Sequence, residues 1–167
     1  MWDFSFLSLI SLIEVIFIKR LLLVVVTVVL TFLLFSFSSP SFLLPVNGKI
    51  TSDFGNRINP ITNKKEFHNA VDIAAEISTP VLAPADCTVT EVTNDTIYGI
   101  FVKVKSEEYQ FRFCHLSETS LKEGDTLKKG DEIGKVGVTG WTTGAHLHLE
   151  VIKNEEYINP KKVFDFK

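Results

Sequence analysis

Residues 140–151 of the chain read Gly140-Trp141-Thr142-Thr143-Gly144-Ala145-His146-Leu147-His148-Leu149-Glu150-Val151. From His146 onward polar and apolar residues alternate, which is the side-chain period of a half-buried β-strand. One face of this strand carries His146, His148 and Glu150. The opposite face carries Leu147, Leu149 and Val151, which the pattern assigns to a core. Two imidazoles on one face of a rigid strand converge on one point, so the stretch predicts a metal site, most commonly zinc, or a catalytic site.

A second polar pair lies upstream in Phe67–Ala75. His68 and Asp72 are four residues apart, so they share a face if the segment is a strand, and Val71-Asp72-Ile73 resembles a strand more than a helix. Imidazole and carboxylate together suit zinc. Alone, such a pair is more typical of a solvated face. Together with the two downstream histidines, it supplies the further ligands that a metal site needs.

The fourth histidine, His115, ends an apolar segment of alternating aromatic residues. By strand parity it shares a face with Tyr109, Phe111 and Phe113. A structural role in the core and a position at the edge of a groove are both compatible with this pattern.

The remaining pattern after residue 46 predicts an all-β domain. Short apolar segments recur between turn residues, and we find no helix of convincing length among them. Gly48–Pro60 is broken by glycine, asparagine and proline and predicts a loop with at most a short strand. Cys87 and Cys114 form no C-x-x-C spacing, so we expect structural cysteines, and a single disulfide between them stays open.

The N-terminal segment has a different composition. Residues 21–38 are uncharged and almost purely apolar over a length near the roughly 20 residues that cross a bilayer, which predicts a transmembrane anchor. Lys19 and Arg20 precede it directly, which places residues 1–20 at the cytoplasmic side and the rest of the chain outside the cytoplasm. Residues 39–45 read as a linker, and residues 46–167 as the folded domain.

Three further points concern the N-terminal segment and the charge of the chain. Cleavage after a signal-like segment near Ser36–Ser38 is the alternative to a retained anchor. Phe4–Ile18, which contains Glu14, is short for a span, and an interfacial segment, a hairpin with the next segment and a misassigned start are all open. The net charge of -3 gives no indication of nucleic-acid binding.

Five ordered sequence blocks between about Ser52 and Val151 resemble the LytM/lysostaphin family of zinc metallopeptidases, the M23 peptidases that cut the peptides of bacterial peptidoglycan. The blocks are Phe54-Gly-Asn-Arg-Ile-Asn-Pro60, His68-x-x-x-Asp72, Phe113-Cys-His115-Leu-Ser117, Gly124-Asp-x-Leu-Lys-Lys-Gly130 and Thr139-Gly-x-x-Thr-Gly-x-His146-x-His148-x-Glu150. The chain departs from the family pattern at Ala70, Cys87, Phe113-Cys114 and Ala145. None of these departures removes a ligand or a catalytic histidine of the family.

The resemblance implies a compact β-sandwich of the barrel-sandwich hybrid type with an active-site groove. It assigns zinc to His68, Asp72 and His148, and it makes His115 and His146 the catalytic histidines without a metal ligand role. Three protein ligands leave one coordination position open, as hydrolytic zinc sites do. The implied substrate is a stem peptide or a cross-bridge of peptidoglycan, outside the cytoplasm, and the oligomeric state is open.

Two other functions compete with this one. A LytM-like domain that activates cell-wall amidases without being an enzyme would have lost zinc ligands, and here every ligand position is filled. A membrane-anchored lipoyl-like adaptor would suit Gly124–Asp131, but it gives no role to the four candidate residues His68, Asp72, His146 and His148.

Overall fold

The structure is a computed structural model that describes residues 4–35 and 41–166, with the helical side chains described for 14–31. Residues 1–40 and 41–167 are two compact units. The described residues form one α-helix, twelve β-strands and a short 3-10 helix. These are α1 (Phe4–Phe35), β1 (Lys49–Ser52), β2 (Gly55–Ile58), β3 (Lys65–His68), β4 (Ala70–Ala74), β5 (Pro80–Leu82), β6 (Cys87–Asp95), β7 (Gly99–Ser106), β8 (Tyr109–Glu118), β9 (Thr126–Leu127), β10 (Glu132–Val136), β11 (His146–Lys153), β12 (Glu156–Ile158) and the 3-10 helix Pro160–Lys162.

Helix α1 runs through both apolar N-terminal segments without a break, so a hairpin between them is excluded. Its described turns include the charged residues Glu14, Lys19 and Arg20. Within the described part of the chain, no helix is both long and apolar enough to cross a membrane. The structure does not show the transmembrane anchor predicted at 21–38, whose residues 36–38 lie outside the described ranges.

The second unit is built almost entirely of antiparallel strands, which confirms the prediction of a mainly β fold. Ten strands form one sheet in the order β1-β4-β11-β8-β7-β6-β9, with β12 also paired to β11 and β10 paired to both β8 and β5. Strands β2 and β3 form a separate hairpin. Gly48–Pro60, predicted as mostly loop, thus contributes two strands.

The core lies on the apolar face of β11 and its neighbours. Leu147, Leu149 and Val151 are fully buried, as the alternation predicts, and they join the equally buried Phe111 and Phe113 of β8 in one cluster. Burying side chains of this size stabilises a fold by about 1.5–3 kcal/mol each. The apolar face therefore fixes which way the polar face of β11 points.

Strand β11 lies between β4 and β8, and this position brings the candidate residues together. In the register of the sheet, His148 is opposite Asp72 on one side and Cys114 on the other. A one-residue slip would move every side chain of β11 to the other face, so the buried leucines also fix this pairing.

Both cysteines are buried and free, so the disulfide left open by the sequence does not form. Burial raises the pKa of the Cys87 thiol to about 11 and that of the Cys114 thiol well above its ordinary value. Protonated thiols of this kind are poor nucleophiles and poor metal ligands, in agreement with a structural role.

Residues 41–45, which the sequence assigns to a linker, pack against the β unit. The Leu43 amide donates to the Pro84 carbonyl at 2.9 Å. The Phe42 ring contacts Tyr109 and Phe111 edge-on, with ring centroids 4.9 and 5.1 Å apart. The folded unit therefore begins at Ser41 in the structure.

We expect Phe42→Ala to destabilise the protein by about 2–3 kcal/mol, because it removes a large side chain from an aromatic cluster. Urea unfolding of the full chain measures this loss. Ile77→Ala is the control, since Ile77 is 57% exposed and should change stability by less than about 0.5 kcal/mol. Equal stability of both variants would show that residues 41–45 are a free linker.

Candidate metal centre

Three side chains bring one donor atom each to a common point. His68 Nε2 lies 3.3 Å from His148 Nδ1 and 3.3 Å from Asp72 Oδ1. His148 Nδ1 lies 2.8 Å from Asp72 Oδ1. All three residues are buried, and together they form a group suited to holding a metal ion.

The donor set fits zinc. A tetrahedral zinc site with metal–ligand bonds of about 2.0–2.1 Å separates its donor atoms by about 3.3 Å, close to the spacings seen here. Two neutral imidazoles and one carboxylate are also a donor set that zinc accepts in catalytic sites. The residues that the family resemblance assigns to the metal are thus the ones that converge.

His68 reaches the centre from the end of the hairpin strand β3, not from the same strand as Asp72. Asn69 separates β3 from β4, so the parity argument that linked the two residues does not describe the structure. The Nδ1–H group of His68 donates to the Asp53 carbonyl at 2.9 Å. This bond leaves Nε2 as the free lone pair, directed at Asp72 and His148.

Asp72 is held on both sides. Its Oδ2 accepts from Arg57 at 2.9 Å, which leaves Oδ1 for the metal position. Burial raises the pKa of the Asp72 carboxyl, but in the metal-free protein protonated His148 and His68 donate hydrogen bonds to it, which outweigh burial and place that pKa well below its usual range. The group is therefore a carboxylate at neutral pH, the form that binds a cation.

The Nε2 side of the His148 ring faces a buried ion pair between Glu150 and Arg112. Its Nε2 lies 3.4 Å from Glu150 Oε1, and Glu150 Oε2 lies 2.9 Å from Arg112. A proton on Nε2 directed at this carboxylate leaves Nδ1 as the ligand nitrogen. Glu150 is 2% exposed, so it is a buried carboxylate and not a surface group at the end of a strand.

His146 lies beside the three donors without joining them. Its Nδ1–H donates to the Gly144 carbonyl at 2.8 Å, so the opposite nitrogen carries a lone pair. That nitrogen, Nε2, lies 3.7 Å from Asp72 Oδ1. The arrangement places a proton acceptor next to the metal position.

His115 also faces the groove, which is one of the two positions that the sequence pattern leaves open, although uninterrupted strand parity would place it on the face of Phe111 and Phe113. A β-bulge between Phe113 and Leu116 reverses the parity, and His115 has a φ of 61°. Its ring centroid lies 4.8 Å from that of His146. Its Nδ1–H donates to the Thr139 carbonyl at 2.8 Å, which again leaves Nε2 unprotonated.

The comparison with known proteins now decides the family. The sequence profile of Peptidase family M23 matches residues 66–160, more than half of the chain. The chain belongs to peptidase family M23.

Named relatives agree with this assignment. The chain is 40% identical over 118 residues to an uncharacterized metalloprotease of Haemophilus influenzae, covering 69% of this chain and 25% of that protein. It is 36% identical over 122 residues to the peptidoglycan DD-endopeptidase ShyA of Vibrio cholerae, covering 71% of this chain and 28% of that protein. The chain thus spans less than a third of the length of these relatives.

Solved structures show the same fold. A zinc-containing peptidase from Vibrio cholerae superimposes with a TM-score of 0.69 at 31% identity, covering 77% of this chain and 41% of that one. The catalytic domain of lysostaphin from Staphylococcus simulans superimposes with a TM-score of 0.63 at 26% identity, covering 69% and 90% of the two chains. The LytM/lysostaphin resemblance read from the sequence is confirmed.

The walls of the M23 groove carry apolar side chains that reach solvent. Ile61 and Phe67 are supplied by the β2–β3 hairpin, and Ile97 and Trp141 by the opposite loops. They are about half exposed, between 46% and 54%. Four such side chains around one polar centre form a rim that can contact an extended peptide.

Several residues that support the M23 site have no role in the sequence-based prediction. Arg57 lies in one of the five family blocks, but neither Arg57 nor Arg112 nor Tyr98 is predicted to take part in the site. The Arg112 Cζ atom lies 5.0 Å from the centroid of the Tyr98 ring, and the Tyr98 ring is itself 5.9 Å from that of His148. Arg112 alternates with the core residues Phe111 and Phe113, so parity places its charge on the opposite face of β8, the face that carries the histidines, where it pairs with Glu150.

Acid should destabilise the metal-free protein through His115. Burial lowers the pKa of His115 to about 4, below the value near 6.5 of an unfolded histidine. The unfolded chain binds more protons between these values, so stability decreases as pH falls from about 6.5 to 4. We expect His115→Gln, which does not titrate, to recover on the order of 1–2 kcal/mol at about pH 4.5 after allowance for solvent screening.

Urea unfolding with chelator present, at several pH values between about 4 and 7, measures this difference between His115→Gln and the unaltered chain. Parallel acid profiles for the two proteins would show that His115 is solvated and ordinary.

Proposed function

We propose that the domain is a zinc-dependent endopeptidase that hydrolyses peptide bonds in bacterial peptidoglycan. The observation that carries the proposal is the convergence of His68 Nε2, Asp72 Oδ1 and His148 Nδ1 beside two further imidazoles in one open groove. The chemistry that zinc supplies when bound is Lewis-acid activation of water and of a carbonyl oxygen.

The protein groups divide the proton transfers between them. His146 Nε2 accepts the proton of the attacking water, since its Nδ1–H is already bonded to Gly144. His115 is neutral at physiological pH, and its free Nε2 is likewise a proton acceptor. Because both free Nε2 atoms are proton acceptors, the proton that reaches the leaving amine is the one that His146 takes from the water, delivered by His146 itself or through His115.

In this proposal the groove binds the substrate mainly through the peptide backbone and the apolar side chains of its walls. Of the charged residues that line the groove, Arg57 is bonded to Asp72 and Glu66, and Glu150 is paired with Arg112. Relatives named peptidoglycan DD-endopeptidases make the bond between two D-amino acids of cross-linked stem peptides the first one to test.

Incubation of the purified full chain with defined cross-linked peptidoglycan fragments tests the proposal. Mass spectrometry of the products should show one new amine and one new carboxylate at a single peptide bond. A glycine cross-bridge substrate assayed in parallel distinguishes the two substrate classes. Intact fragments in the presence of zinc would contradict the proposal.

A non-enzymatic activator of cell-wall amidases is the second candidate. It has no need of a bound ion, of His115 or of His146, whereas all five residues are in place here. Stimulation of an amidase by the chain, with no zinc bound, would favour this candidate over the enzyme, and it would equally separate the activator from a lipoyl-like adaptor.

We also propose that the catalytic unit works outside the cytoplasm, because peptidoglycan lies there. A reporter enzyme that is active only outside the cytoplasm, fused after Lys167, should be active in cells. The matched fusion to a reporter that works only inside should be silent, and the reverse result would leave the proposed substrate out of reach.

A further inference from the structure

The bulge that turns His115 into the groove interrupts the hydrogen-bond ladder between β7 and β8 and puts the His115 backbone in an unfavourable conformation. His115 and Cys114 together lie opposite the single residue Phe101 of β7. A φ of 61° is uncommon for a residue with a side chain and needs support from its surroundings. A neighbouring group must therefore hold this turn in place.

Thr139 occupies the gap that the bulge leaves between β7 and β8. Its Oγ1 accepts from the Ile100 amide at 3.0 Å and donates to the Leu116 carbonyl at 2.6 Å. Ile100 and Leu116 are the paired residues at which the register shifts. One hydroxyl group thus bridges the two strands at the point where their own ladder is interrupted.

The same residue holds the imidazole itself. The Thr139 carbonyl accepts the Nδ1–H bond of His115 at 2.8 Å. The Thr139 backbone is kept close by glycine, because a Cβ on Gly99 or on Gly140 would overlap neighbouring backbone. The Thr139 carbonyl therefore holds the imidazole, and its hydroxyl holds the strands beside the bulge, where the His115 amide itself donates to the Tyr98 carbonyl at 2.9 Å.

We propose that Thr139 is a positioning residue for His115, and that its hydroxyl bridge keeps His115 in the Nδ1–H tautomer with Nε2 free in the groove. The inference rests on the proposed function only where turnover is concerned. The tautomer is a property of the folded protein and exists with or without catalysis.

Three substitutions separate the hydroxyl from the volume of the side chain. Thr139→Val keeps the shape and loses both hydrogen bonds, Thr139→Ala loses them without adding a methyl group against the strands, and Thr139→Ser keeps the hydroxyl. The matched control is Thr90→Val, which removes a cross-strand hydroxyl that donates to the Lys103 carbonyl at 3.2 Å, far along the β6–β7 pair from His115.

The main measurement is the imidazole nitrogen spectrum of the full chain by NMR. The unaltered protein and Thr139→Ser should show His115 in the Nδ1–H form. Thr139→Val and Thr139→Ala should show a mixture of both tautomers. Their kcat on a cleavable fragment should fall on the order of tenfold, as misplacement of a reacting group does, with KM and zinc content unchanged. Thr90→Val should match the unaltered protein in every readout.

Distinct results overturn this proposal and the proposed function. An unchanged His115 tautomer in folded Thr139→Val and Thr139→Ala overturns the role of Thr139. A loss of kcat that Thr90→Val or Thr139→Ser shares equally also overturns it, because the effect is then one of general stability. An unaltered chain that binds no zinc and cuts no fragment overturns the proposed function, while the NMR comparison still decides whether Thr139 holds His115.

Discussion

His148→Ala is expected to lose both its metal and its hydrolytic activity. His148 Nδ1 is the donor nearest to Asp72, and its removal leaves only one histidine and one carboxylate for the ion. Loss of a partner behind a ligand already costs roughly 10–100-fold in affinity or activity, and loss of the ligand itself should cost more. Elemental analysis of the purified variant and its hydrolysis rate measure the two losses.

Cys114→Ala is the matched control for this prediction. Cys114 is the buried neighbour of His148 in the register of β11 and β8, and it contributes no donor atom to the centre. We expect this variant to be less stable but to keep its zinc. Retention of zinc by His148→Ala would remove His148 from the ligand set.

His146→Ala is expected to keep its zinc and lose turnover by on the order of 10²–10⁴-fold. His146 Nε2 lies beside the centre at 3.7 Å from Asp72 Oδ1, and the three converging donors do not include it. Removing it takes away a proton acceptor and leaves the ligand set complete. Metal content and kcat of the same preparation test this split.

His115→Ala should resemble His146→Ala in this assay, because both imidazoles present an unprotonated Nε2. A reversed pattern, with zinc lost from His146→Ala and kept by His148→Ala, would exchange ligand and base. If His146→Ala were as active as the unaltered chain, His146 would not be the general base.

The part of the site that lies on β11 could be predicted from sequence because its signal is local. Alternation over six residues sets the direction of every side chain, and the buried leucines hold that direction against a register slip. The mainly β character of the second unit follows from the same kind of local pattern. The ligand set followed from the family resemblance, and it stays a prediction until a metal is measured.

The positions of His115 and His68 could not be derived from parity. Parity assumes an uninterrupted strand, whereas His115 lies in a β-bulge and a strand break at Asn69 follows His68. Both irregularities depend on pairing with residues far away in sequence. No window around either histidine contains that information.

The supporting contacts were invisible for a related reason. Arg57 reaches Asp72 across 15 positions, and Arg112 reaches Glu150 across neighbouring strands. The position of each arginine can be explained only when its buried carboxylate partner is known, because burying an unpaired charge there would lower the stability of the fold. The prediction for the N-terminal segment rests on its composition alone. An apolar run shows that a segment is hydrophobic, but it does not determine at which residues α1 begins and ends.

The most direct test of the metal centre is a zinc titration of the full chain with hydrolysis followed in the same sample. The unaltered protein should bind one equivalent of zinc, lose hydrolysis when a chelator removes it and recover hydrolysis when zinc returns. Acid should compete with the metal, because the hydrogen bonds to Asp72 and Glu150 outweigh burial and raise the pKa of His148. Hydrolysis that persists in the metal-free protein would contradict the assignment of His68, Asp72 and His148 as the centre of the catalytic site.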